Sequence, residues 1–174
     1  EVATAGFSLS TNRIANFYFD IDTDKNRSYK WTIKAAKQGN SAAQNNLGWM
    51  YGSGNGVALD YKEAFKWYRK SANQGDDWGQ FNLALMYMDG RGVSSDYFIA
   101  HDWYKKSANQ GHTGAFNNLG LDYKTGLMYG DSKGNIIKSD YSEAVKWLDK
   151  GIEFGCATCA AMLYEIYIEK NNIN

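Results

Sequence analysis

Residues 78–108 read WGQFNLALMYMDGRGVSSDYFIAHDWYKKSA, and the fold is decided there. Gly79, Leu83 and Tyr87 fall on one stripe at i, i+4 and i+8, the spacing of an amphipathic helix. The glycine turn Gly90-Arg91-Gly92-Val93 interrupts it, and Asp96 then places a carboxylate at the positive end of a second helix. Lys105 and Lys106 close that helix, where cations oppose its negative end.

Moving outward, the same features return at a fixed step. Trp31, Trp67, Trp103 and Trp147 are 36, 36 and 44 residues apart. Gly39, Gly75, Gly111 and Gly155 keep that step, as do Leu47, Leu83, Leu119 and Leu163, and Tyr51, Tyr87, Tyr123 and Tyr167. Four residue classes sharing one period and one eight-residue insertion mark an internal repeat. In the preceding unit Ala43, Leu47, Met50 and Tyr51 form the first stripe, and Ala64, Trp67, Tyr68 and Ala72 the second. Ser41 and Thr113 stand where N-caps are expected, and Asp60, Asp96 and Asp140 open the second helices. Gly75 and Gly111 supply the left-handed residue that ends them. The slot of Ala43, Gly79, Ala115 and Cys159 stays small, as close helix contact requires. Neither helix of such a pair hides its stripe alone, so the pairs must stack. The expected fold is all-α, a right-handed α/α superhelical solenoid of helix-turn-helix units of 36–44 residues.

The pattern Leu47-Gly48-x-x-Tyr51 and Leu119-Gly120-x-x-Tyr123, joined to Gly-x-Gly-Val-x-x-Asp and Ala-x-x-Trp-Tyr, resembles the Sel1-like repeat, a relative of the tetratricopeptide repeat. The resemblance covers about residues 28–170, with Ala84 in place of a glycine and Ile152 in place of an alanine. Residues 28–174 are therefore assigned to the repeat solenoid and residues 1–27 to a capping segment. Ile14-Ala15-Asn16-Phe17-Tyr18 reads there as a degenerate first unit.

Composition narrows the function. Among 174 residues, 19 Lys and Arg balance 19 Asp and Glu, so no charge excess draws the chain to nucleic acid. No apolar run is long enough to span a membrane. The compartment is open, with a periplasmic or secreted setting favoured over a cytoplasmic one because Glu1 in place of Met points to a removed leader or a fragment.

Chemistry-bearing motifs give way to structural readings. Asp20-Ile21-Asp22-Thr23-Asp24-Lys25-Asn26 alternates carboxylates as a calcium loop does, yet Lys25 takes the glycine position and Trp31 the closing Glu position, so a polar inter-helix loop is expected. Cys156-Ala157-Thr158-Cys159 lacks the further ligands of a zinc site and the preceding strand of a redox site, and reads as two buried thiols. His101 and His112 have no nucleophile or carboxylate at a diagnostic spacing, which leaves surface or packing roles. No catalytic residue, metal site or cofactor is assigned.

Surface shape remains. The resemblance implies that first helices line a concave face, which puts Asn45, Trp49, Trp78, Phe81, Leu85, Met88, Asn117, Leu121 and Lys124 inward. Leu127, Met128 and Tyr129, in the insertion Gly126 to Ile137, add a protruding loop. An aromatic centre with a polar rim is the anatomy of a binding hot spot. The expected function is non-catalytic binding of a protein or peptide partner, as a bacterial adaptor or a toxin-neutralising immunity protein. The alternatives are a hydrolytic enzyme with carboxylates in the groove, and a scaffold that self-associates through Leu163, Tyr164 and Tyr167.

Overall fold

The computed structural model describes residues 25–126 and 139–171. Among them are eight helices and no strand: α1 (Lys25–Lys37), α2 (Ser41–Ser53), α3 (Tyr61–Asn73), α4 (Asp77–Asp89), α5 (Tyr97–Ala108), α6 (Thr113–Thr125), α7 (Tyr141–Glu153) and α8 (Ala157–Asn171). They are the hairpins of a repeat helical solenoid. The chain divides into two compact units, Glu1–Ser95 with α1 to α4 and Asp96–Asn174 with α5 to α8. Within each, consecutive helices pack, and α2 also meets α4 as α6 meets α8. Among the described residues no helix is long and apolar enough to cross a membrane.

The helix starts follow from caps. Asp60, Asp96 and Asp140 each hold an extended backbone while one carboxylate oxygen accepts two amide hydrogens of the first turn. The first helices start one residue earlier than Ser41 and Thr113 suggested. Asn40 caps α2 by accepting from the Ala43 amide at 2.8 Å, and Asp76 caps α4 through the Gly79 amide at 2.7 Å. His112 takes the position in α6, without a side-chain cap bond. Asn40 and Asp76 each sit three residues before the amide they serve, which makes Ser41 and Asp77 the first helical residues, as Thr113 is in α6. Lys25 and Asn26, expected in a loop, begin α1; the rest of that acidic stretch lies outside the described residues. Gly39, Gly75, Gly111 and Gly155 all have φ between +84° and +94°, the left-handed conformation that ends each second helix.

The core repeats in register. Ala43 and Leu47 of α2 cluster with Ala35 and Ala36 of α1 and Trp67 of α3, and Ala115, Phe116 and Leu119 are among the buried residues of α6. A Cβ added to Gly48 would stand 2.7 Å from Tyr68 Cδ1, and one added to Gly120 would collide with Leu148. These glycines let α2 touch α3 and α6 touch α7. Ala84 and Tyr164 hold the same repeat position in α4 and α8, and Tyr164 is 68% exposed.

An edge-to-face pair joins three of the four second helices to the first helix after each: Tyr29 with Tyr51, Phe65 with Tyr87, and His101 with Tyr123, while α7 has Val145 at that position. Every second helix also sets a lysine ammonium over its tryptophan three residues back, from Lys34 on Trp31 to Lys150 on Trp147.

One expectation is overturned in the second unit, and the packing role expected of His101 gains a partner. Cys156 and Cys159 form a disulfide instead of two free thiols. Cys156 holds the cap position, and the Cys159 amide donates to its sulfur at 3.2 Å as Ala43 does to Asn40. His101 is buried and does have a carboxylate partner: its Nδ1 lies 2.9 Å from Asp122 Oδ2, and Nε2 lies 3.4 Å from the Tyr123 hydroxyl. Asp122 is 21 residues away, so no local motif announces the pair.

Candidate partner-binding groove

Trp49, on α2, and Trp78, on α4, are 40% and 57% exposed and line one hollow of about 530 Å³ in the first unit. Its other walls are Ala42, Asn45, Asn46, Asp76 and Asn82. The placement follows from the repeat. Leu47 and Leu83 turn inward to the core, so residues two positions on or one position back turn away from it. Asn82 donates its amide to the Asn45 carbonyl oxygen at 2.8 Å, tying α4 to α2 across the floor. A second hollow of about 230 Å³ shares the Trp49 and Asn82 wall and continues to Tyr61, Leu85, Asp89 and Arg91. There Arg91 pairs with Asp89 at 3.2 Å and lies over the Tyr61 ring.

Of the residues expected on the binding face, the structure brings together Asn45, Trp49 and Trp78, with Leu85 next to them in the second hollow. Phe81 and Met88 are half-buried and line neither hollow. In the second unit Leu121 is exposed and Asn117 half-buried. Lys124 departs from its expected place on an open face: it binds Glu169 at 2.9 Å and Glu165 at 3.3 Å, tying α6 to α8. The hydrogen bond to Glu169, aided by the one to Glu165, holds its ammonium above the usual lysine range against the opposing effect of burial. Leu127, Met128 and Tyr129 lie outside the described residues. The ends of their insertion are anchored, since the Asp140 amide donates to the Tyr123 carbonyl at 2.7 Å as Asp60 does to Tyr51 at 2.9 Å.

Asn46, Asn82 and Asp76 escaped the sequence reading. A signal existed: Asn46, Asn82 and Asn118 recur at the 36-residue step, and Asp76 shares its position with Asn40. Chemically, the larger hollow offers two indole rings, three carboxamides and one carboxylate. Among the described residues the one lining carboxylate of the smaller hollow, Asp89, is paired with Arg91. Neither holds the pair of convergent carboxylates that general acid–base hydrolysis uses.

The Sel1 repeat profile matches residues 17–40, 41–76, 79–112 and 118–153. The chain belongs to the Sel1 repeat family. Among solved structures, this Sel1 repeat chain is similar to a Sel1 repeat protein from Oxalobacter formigenes, at 34% identity and a TM-score of 0.81. That match covers 92% of this chain and 63% of the other. It is also similar to a protective antigen present in uropathogenic Escherichia coli strains that displays an SLR fold, at 29% identity and a TM-score of 0.53, covering 93% and 42% of the two chains. Helicobacter pylori cysteine rich protein B shares the fold, at 19% identity and a TM-score of 0.57 over 67% of this chain and 92% of that one. The chain thus spans less than two thirds of the length of the first two relatives. No curated protein matches it significantly.

Proposed function

We propose that this Sel1 repeat chain is a non-catalytic interaction module that grips an extended segment of a protein partner in the hollow of its first unit. The observation that carries the reading is the exposure of Trp49 and Trp78 along one hollow floored by asparagines. Large flat rings supply binding energy, and carboxamides can pair with a peptide main chain. The hollow sits between packed helices, so little ordering entropy is lost on association. The bacterial sources of the similar structures support a bacterial adaptor, with blocking of a toxin's active site as one specific version. The Cys156–Cys159 disulfide supports an oxidising compartment such as the periplasm.

Selection of a random-peptide display library on the full chain tests this. Enriched peptides should bind the Trp49→Ala/Trp78→Ala variant at least about 30-fold more weakly, the loss typical of a tryptophan anchor, with helicity unchanged by circular dichroism. No enrichment, or equal binding to the variant, overturns the reading. The exposed Tyr164 and Tyr167 of α8 favour a second reading, self-association through that face.

A further inference from the structure

Among the described residues the larger hollow has one charged lining residue, Asp76, and no lining cation. One Asp76 oxygen accepts from the Gly79 amide at 2.7 Å, and the other has no partner among the described residues. The bond between Asn82 and Asn45 leaves an Asn45 N–H pair and the Asn82 carbonyl oxygen for a ligand. Indole faces attract cations, and most strongly a flat guanidinium that can stack on them while its N–H groups reach a carboxylate. A neutral sugar or an aliphatic side chain could cover the rings, yet neither gains from the carboxylate.

We propose that the hollow formed by Trp49, Trp78 and Asp76 seats an arginine side chain of an extended peptide, with Asn45 and Asn82 pairing to that peptide's main chain. This deepens the proposed function and rests on it. Each part has its own chemistry: indole faces take the guanidinium plane, Asp76 takes its N–H edge, and the two carboxamides take a neighbouring peptide C=O and N–H. The repeat supplies a control, because Asn40 caps α2 in the position that Asp76 has in α4. Asp76→Asn therefore keeps the cap and removes the charge.

The test follows the indole N–H resonances of Trp49 and Trp78 in the ¹⁵N-labelled full chain during titration with the blocked tripeptide Ac-Ala-Arg-Ala-NH₂. Its citrulline counterpart and cellobiose serve as the other arms. The arginine peptide should shift both resonances and bind about fivefold more tightly than the citrulline peptide, an advantage typical of a partly exposed cation site. Asp76→Asn should abolish that preference, and added salt should weaken only the arginine peptide. Equal binding of arginine and citrulline overturns the proposal. So does an undiminished preference in Asp76→Asn, a response to cellobiose alone, or no shift with the arginine peptide. Library peptides that need Trp49 and Trp78 but carry no basic residue would overturn the arginine assignment and leave the binding module standing.

Discussion

At Gly48 a methyl group would crowd the Tyr68 ring, while the helix itself would prefer alanine. Propensity favours Ala by about 1 kcal/mol and overpacking costs about 1–3 kcal/mol, so the contact wins. Gly48→Ala should lower Tm by up to about 8 °C in a thermal melt, from a net cost of up to about 2 kcal/mol at about 2–4 °C per kcal/mol for a chain of this size. A Tm raised by about 2–4 °C would show that Tyr68 moves aside without cost. Tyr51 carries a different signature. Its hydrogen bond with Tyr29, 3.0 Å between the hydroxyls, and then its burial push its phenol up to about 12. The raised value favours the protonated form in the folded chain. That stabilisation is complete below the ordinary tyrosine value of about 10 and is lost as pH rises through 12. Absorbance near 295 nm should show two tyrosines ionising late, Tyr51 and Tyr68, whose phenol burial also pushes up, and Tyr29→Phe should bring only the first to lower pH. Two late ionisations that both persist in Tyr29→Phe would place the cause at Tyr51 elsewhere.

Among the elements, the second helices were the most legible. Asp60, Asp96 and Asp140 announced their starts, and the glycines that follow announced their ends, because caps and left-handed turns are local chemistry. The first helices were read one residue late, since Asn40 and Ser41 are both good caps and only the reach to the Ala43 amide decides between them. The pair of His101 and Asp122 was illegible for a tertiary reason. Phe65 and Met86 fill these two repeat positions in the first unit, so in the second unit a polar pair replaces an apolar one. This contrast defines a double-mutant cycle. Asp122→Ala strands a buried imidazole and should cost about 3 kcal/mol in urea denaturation. His101→Phe with Asp122→Met copies the other unit and should fall within about 1 kcal/mol of wild type. A double variant as unstable as the single one would mean that neighbours beyond the pair depend on it. The disulfide is a further element-scale device. It closes a ring at the start of α8, and the chain-entropy model gives so short a loop at most about 2 kcal/mol, which reduction should remove from the melting transition.

For the whole molecule, the periodic tryptophans, leucines and tyrosines made the solenoid readable before any coordinates. The candidate binding face was half readable. Trp49 and Trp78 stood out as large residues off the core stripe, whereas the polar floor depends on which carboxamides two helices bring face to face. Self-association is tested at this scale by sedimentation velocity. The α8 reading expects a concentration-dependent dimer that Tyr167→Asp abolishes, and a monomer at every concentration removes it.

Tyr164 bears on how such a protein can lengthen. Gene duplication adds hairpins to repeat proteins when each new helix finds a vacant seat on the last one. In α2 and α6 that seat is a glycine. In α8 a phenol ring occupies it. A helix packed on α8 in the register of α3 on α2 would meet that ring, so such a contact requires a small residue at 164, as the glycines of α2 and α6 and Ala84 of α4 are.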